Sequence, residues 1–352
     1  MADTIKCPNC SANLVFDADL GKLVCAYCGS SYLPSELDNT VQEVEVDQPQ
    51  ADENVDEGEY QEFVCNACGA SVITDISTSA SFCSFCGSPA LIGQRLTSDF
   101  RPKYLIPFKI GRDTAVAKFM EWCKGGKLAP FGFVSDKNVE KMKGLYVPFW
   151  LFNADGHMDI VGTGKNITSV TTGSDRVTTT KIYNVVRNRD YTWSRIPLDA
   201  ETRIRDDYME AIEPFDYKDL IPYDYKYIPG FYADRYDLNS KNLEERARDR
   251  ATAYLKSECI KSTSSYDRFD AVKDNSVVGN ISSDYALLPV WFMSYRYLGK
   301  QYDFVINGQT GEVAGEPPVS LVKKIMVYAL ALGITAIVAR IVINLLLGGF
   351  SG

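Results

Sequence analysis

Apolar positions follow three different rhythms along the chain. At 113–124 they recur at helical spacing, with Val116, Phe119, Met120 and Cys123 on one face and Gly125-Gly126 ending the run. The same period returns at 241–261, capped by Ser240, where Leu243, Ala247, Ala251, Tyr254, Leu255 and Cys259 form the stripe. A further short helix is predicted at 135–143. Elsewhere the period is two. Residues 160–170 and 177–186 alternate around a Thr-Thr-Gly-Ser-Asp turn at 171–175, which predicts a long hairpin within a strand-rich stretch, 145–196. Trp291, Met293, Tyr295 and Tyr297 alternate toward Gly299-Lys300, and Tyr302, Phe304 and Ile306 alternate on the return before Asn307-Gly308 turns the chain again.

The third rhythm is an unbroken apolar run at 325–347, in which only Arg340 is charged. A helix of that length is about 34 Å long and matches a hydrocarbon core of about 30 Å. Its many Leu, Ile and Val residues each favour insertion by about 0.3–0.6 kcal/mol, against about 2.5–3.5 kcal/mol opposed by Arg340. Arg340 is also near enough to the far interface to snorkel. A transmembrane helix is therefore expected. Lys323 and Lys324 precede it and no charge follows it, which places the large N-terminal part in the cytoplasm of a single-pass, tail-anchored protein at the cell membrane.

A Pro-aromatic phrase recurs at Ile106-Pro107-Phe108, Val147-Pro148-Phe149-Trp150, Ile228-Pro229-Gly230-Phe231-Tyr232 and Leu288-Pro289-Val290-Trp291. Proline lacks a ladder donor, so these prolines belong at first strand positions or edges, with the aromatics beyond them filling a core.

Eight of the ten cysteines fall in four CxxC pairs. Cys7-Cys10 and Cys25-Cys28 repeat, 58 positions later, as Cys65-Cys68 and Cys83-Cys86. With no apolar leader at the N-terminus, this reads as metal binding in a reducing compartment and not as a disulfide framework. Two thiolates three positions apart in a tight turn face one ion, and a second turn returned by a hairpin completes a sulfur tetrahedron about 2.3 Å from zinc. Gly29 and Gly87 after the last cysteine of each set permit positive φ. Two structural Zn2+ ions are expected, with iron the chemical alternative. Cys123 and Cys259 lie on apolar helix faces and are expected in the core.

The formal charge of −9 is local. Residues 38–62 carry ten carboxylates and no Lys or Arg, and removing them leaves +1. That stretch reads as a disordered acidic linker. The ribbons lack the basic face that phosphate binding needs: 1–37 holds Lys6 and Lys22 against four acids, and 63–93 holds only Asp75. Nucleic acid is thus an unfavoured partner. No catalytic constellation emerges. His157 is the single histidine and is expected at a turn or strand start. Gly162-Thr163-Gly164-Lys165-Asn166 lacks the first glycine and the hydroxyl residue of a phosphate loop. No enzyme activity and no small-molecule substrate are expected.

The predicted architecture is α+β: zinc ribbon 1 at 1–37, the linker at 38–62, zinc ribbon 2 at 63–93, an aromatic-rich middle domain at 100–318 and the transmembrane helix at 325–347. This order of modules resembles bacterial TFIIB-like zinc-ribbon membrane proteins of the YdjG type, which are sometimes mislabelled as the primosomal helicase. The resemblance implies a non-enzymatic adaptor bringing soluble partners, of the phage-shock or SPFH kind, to the membrane in envelope stress. The alternatives are a nucleic-acid-linked role in transcription or replication, and a redox role for an iron ribbon.

Overall fold

The computed structural model describes residues 5–37, 60–65, 71–75, 91–95, 102–125, 130, 142–297 and 300–348. The N-terminal ribbon contributes β1 (Leu14–Asp17), β2 (Lys22–Cys25) and β3 (Ser31–Tyr32), a small antiparallel sheet in that order. Next come β4 (Tyr60–Cys65), β5 (Ser71–Asp75), β6 (Leu91–Arg95), β7 (Tyr104–Leu105), α1 (Arg112–Gly125), β8 (Lys143–Thr172) and β9 (Asp175–Asp199). The chain continues through α2 (Asp206–Ala211), β10 (Ile221–Pro222), β11 (Tyr232–Asp234), α3 (Ser240–Thr263) and β12 (Arg268–Asp274). It closes with β13 (Val277–Tyr297), β14 (Lys300–Asn307), β15 (Val313–Gly315) and α4 (Leu321–Gly348).

Among the described residues, β4 to β15 form one large sheet with the path β10-β7-β13-β8-β11-β5-β4-β6. Its axis is β8, 30 residues long. One edge of β8 takes β13 and then β12, and the other takes β11 in parallel and then β9. The α+β class holds, with more sheet than helix.

Alternation along β8 and β13 sorts the core into two faces. Leu145, Val147, Phe149, Leu288, Val290 and Phe292 face α2 through Tyr208, Met209 and Ile212. On the other face, Tyr146, Leu287, Trp291 and Met293 meet Ala115, Phe119 and Cys123 of α1. Farther along β8, Phe152, Ala154, Met158 and Ile160 meet Leu243, Ala247, Ala251 and Leu255 of α3. Both periodic helices therefore form where their stripes predict. The cap of α3 is Asn239, one residue earlier than expected, whose side chain accepts from the Asn242 amide at 3.1 Å. Cys123 is buried as expected and Cys259 is half-buried.

Several expectations change. Pro148 and Pro289 lie inside long strands, not at their starts. Pro148 falls where β8 exchanges β11, paired at 145–146, for β9, paired from Phe149. Pro289 falls where β13 exchanges β7, paired at 286–287, for β14, paired from Val290. Neighbours change at both places, so the missing N–H falls where no carbonyl waits. The middle sheet also starts before residue 100, because β11 lends β5 an antiparallel edge through Ala233 opposite Ile73. Residues 60–62, assigned to the disordered linker, belong to β4; 38–59 lie outside the described residues, as does most of the helix expected at 135–143. Lys143 already begins β8. His157 lies mid-strand and contacts Asp190 across the β8–β9 ladder at 2.6 Å. Gly162 and Gly164 are strand residues against which the Phe269 and Tyr266 rings pack so closely that a Cβ would stand 2.6 Å from ring atoms. Those rings, and not a phosphate, account for the glycines.

Asp199, at the end of β9, is 2% exposed, with Arg246 of α3 at 3.8 Å and its Oδ2 without a hydrogen-bond partner. Burial, then the nearby Asp206 charge, push its carboxyl up to about 7 against the pull of Arg246. A raised carboxyl pKa means that the folded state holds the proton longer than the unfolded chain. Stability contributed here is present at about pH 4 and declines as pH rises toward 7. Asp199→Asn should remove that decline, leaving the variant more stable by on the order of a few kcal/mol at pH 8 and nearly unchanged near pH 4. Unfolding of the purified chain at the two pH values, followed by tryptophan fluorescence, checks this.

Candidate metal centre

The first ribbon is built from two turns of matching design. In the first, the Ser11 amide donates to the Cys7 carbonyl at 2.8 Å and the Cys7 amide to the Ala12 carbonyl at 2.8 Å. In the second, the Gly29 amide donates to the Cys25 carbonyl at 2.9 Å and the Cys25 amide to the Ser30 carbonyl at 2.9 Å. Each turn closes through a left-handed residue, Ser11 at φ 61° and Gly29 at φ 74°. The β1–β2 hairpin brings the turns together, and Asn9 Nδ2 donates to Ser30 Oγ at 3.0 Å between them.

The thiols of Cys7, Cys10, Cys25 and Cys28 all lie within 4.8 Å of one another. Cys7 and Cys28 Sγ are 3.5 Å apart, and Cys10 and Cys25 Sγ are 3.4 Å apart. Ligands at about 2.3 Å from a tetrahedral ion are separated by roughly 3.8 Å, so the quartet fits Zn2+ with little adjustment. The Ser30 hydroxyl and amide, hydrogen-bonded to the Cys28 sulfur, draw its thiol down to about 6. Cys7 is also lowered: burial opposes this, and the Asn9 and Cys10 amides outweigh it. The backbone at Ala12 favours ionisation of Cys10, but burial and the sulfurs of Cys28, Cys25 and Cys7 push that thiol up to about 12. One cation at the centre makes ionisation of all four favourable.

Little else holds this unit together. Its own buried core is Cys7, Leu14, Phe16, Leu23 and Cys25. Fixing each backbone residue costs about 1–2 kcal/mol, more in total than five buried side chains return at about 1.5–3 kcal/mol each. A structural zinc ion contributes on the order of 10–16 kcal/mol. The rest comes from the large sheet, on which the ribbon is seated. The Phe16 amide donates to the Pro229 carbonyl at 2.9 Å, and its ring meets Tyr227 edge-on at 5.0 Å. Gly230, at φ 97°, leaves room for Val15, whose Cγ1 would be 2.5 Å from a Cβ there. Asp19 accepts from the Gly111 amide at 2.7 Å, just ahead of α1, where a carboxylate also suits the helix dipole. Beneath the ribbon, rings from the Pro-aromatic phrases converge: Phe108 stacks on Phe231 at 4.1 Å, and Trp291 closes on Phe108 at 5.3 Å.

The structure thus gathers four of the eight expected ligands. Cys65 ends β4; Cys68, Cys83 and Cys86 lie outside the described residues. Sequence reasoning missed Asp19 and the Val15–Gly230 contact, since nothing local marks a residue that touches a distant turn. The left-handed Ser11 was legible: Gly29, Gly69 and Gly87 follow the last cysteine of the other three knuckles, and Ser11 is the exception. A non-glycine residue in that conformation costs roughly 1–2 kcal/mol. Ser11→Gly should therefore raise zinc affinity several-fold, read by competition with a chromogenic chelator.

The family model described as the Cys-rich region of the PriA DNA helicase matches residues 7–31. No solved structure matches the chain. A Bacillus subtilis (strain 168) protein, named uncharacterized protein YdjG, is 32% identical over 350 residues, spanning 99% of this chain and 100% of its own. With a relative of that identity aligned along both full lengths, the chain belongs to the YdjG family.

Proposed function

We propose that this chain is a non-enzymatic adaptor, held at the cytoplasmic face of the membrane by α4 and braced by zinc, that brings soluble proteins to the bilayer during envelope stress. The observation that carries this reading is α4. Within it, Val322–Asn344 holds an 18-residue stretch with a mean hydropathy of 2.2, none of it buried against the rest of the protein. An aliphatic surface of that size is sustained by lipid and not by water. Lys323 and Lys324 at its start favour a cytoplasmic position for the sheet and the ribbon. A quartet of thiolates leaves no coordination position for water or substrate, so the metal acts as a brace. The second CxxC set holds a second zinc ion by the same chemistry. Proteins of the phage-shock or SPFH kind are the proposed partners.

A nucleic-acid-linked role is the second reading, favoured by the match of residues 7–31 to the helicase Cys-rich region. Against it, residues 5–37 carry only Lys6 and Lys22 beside Asp17, Asp19 and Glu36, too few cations for a phosphate-binding face.

Elemental analysis of the detergent-extracted chain should give two zinc ions per chain, one lost in Cys10→Ser and the other in Cys68→Ser; iron in their place defeats the zinc assignment. In cell fractionation the protein should stay with membranes through alkaline carbonate, and truncation after residue 318 should release it. Binding of the full chain to duplex DNA with a steep salt dependence would favour the helicase-like reading instead.

A further inference from the structure

Beyond α3, the β8–β9 hairpin continues as a projecting arm. Among the described residues β9 pairs with β8 alone, so no described strand covers the other edge of this unusually long strand. Natural edges of this kind are blunted, covered or used. The register from Asp175 to Tyr191 runs without a bulge, so side chains alternate strictly between the two faces. Lys181, Arg187 and Arg189 share one face. Ile182 and Val186 share the other and are 65% and 61% exposed. None of these three cations makes an ion pair with a described carboxylate; Arg187 bonds the Ser262 and Val186 carbonyls, and Arg189 lies over the Tyr191 ring. Between Lys181 and Arg189 the chain thus presents three cations, with Tyr183 among them, on one side of an open hydrogen-bonding edge, and the exposed aliphatic side chains of Ile182 and Val186 on the other.

We infer that this edge of β9 is a docking site for an extended acidic segment of a soluble partner protein, one that alternates carboxylate and aliphatic side chains and adds to the sheet as a further strand. Main-chain hydrogen bonds to β9 supply the register and the alternating side chains supply the selectivity. The cations decide between occupants. A second copy of β9 would set Lys and Arg against Lys and Arg, so self-pairing is disfavoured by the charges that attract an acidic strand. The bilayer is the other anionic surface at hand, and topology argues against it. α4 follows β15, which joins the sheet through β14 and β13 beside the Lys143 end of β8. The arm's tip lies at the opposite end of that 30-residue strand, a contour of roughly 100 Å away at about 3.3 Å per residue.

This inference rests on the adaptor reading for its meaning, and its test is separable from it. The probe is a fluorescein-labelled nine-residue peptide alternating glutamate and valine, added to the full-length chain in phosphatidylcholine nanodiscs and followed by anisotropy. Saturable binding that weakens with salt is expected. The same peptide N-methylated at alternate amides, equal in charge but unable to pair, should not bind. The triple variant K181E/R187E/R189E should bind at least about tenfold more weakly while keeping the native zinc content and melting temperature. Absence of binding overturns the inference, as does binding that is indifferent to N-methylation or to charge reversal. So does capture of phosphatidylglycerol vesicles through Lys181, Arg187 and Arg189 without uptake of the peptide. Release of the native chain from membranes would defeat the adaptor reading while leaving the peptide result intact.

Discussion

The hydrogen-bonded ladder of β8 is the constraint around which the large sheet and the helices packed on it are arranged. A strand of 30 residues cannot be satisfied by one neighbour on each side, so it takes two on each, exchanging β13 for β12 on one edge and β11 for β9 on the other. Each exchange leaves a short gap in the ladder. The sheet tolerates Pro148 in such a gap, and β13 does the same with Pro289. Alternation along the ladder then assigns α2 to one face and α1 and α3 to the other. Removing water from both faces supplies the apolar burial that offsets the entropy of ordering so long a strand.

The ribbon depends on that frame as much as on its metal. Five buried residues and a thiolate quartet define its interior, but its orientation comes from the Phe16–Pro229 hydrogen bond, the Asp19–Gly111 bond ahead of α1 and the space left by Gly230. Metal and sheet are therefore linked. Loss of zinc would loosen β1 and β2, and through them the carboxylate that satisfies the start of α1 and the lid over the Phe108, Phe231 and Trp291 rings. A brace of this kind explains why a closed metal site belongs in a protein whose proposed task is mechanical.

The apolar helix, the ribbon and the arm lie in sequence along one sheet. The apolar helix leaves from the β15 side, the ribbon covers the aromatic layer near the start of β8, and the β8–β9 hairpin extends beyond α3. The proposed adaptor role calls for such an order: an apolar end, a stiff body, and an open strand edge far along the sheet from that end. Stiffness here is a property of the ladder. A two-stranded ribbon alone is marginal in water, and the rings of Phe269 and Tyr266 against Gly162 and Gly164 back the base of the arm.

By itself the sequence determined whatever is local or periodic. It set α1 and α3 through their stripes, the turn at Gly173 and the β13–β14 pairing through alternation, the apolar helix through its length, and the Cys7, Cys10, Cys25 and Cys28 site through spacing, because the two turns and their hairpin lie within 22 residues of chain. Tertiary structure alone decided that β5 adds to β11, that Asp19 and Val15 seat the ribbon, that prolines sit inside long strands, and that His157 meets Asp190 in mid-ladder. The physical reason is common to all four. Each is set by which strand lies alongside at one point, and strand partnership joins residues far apart in the chain, where no periodicity or short motif can record it.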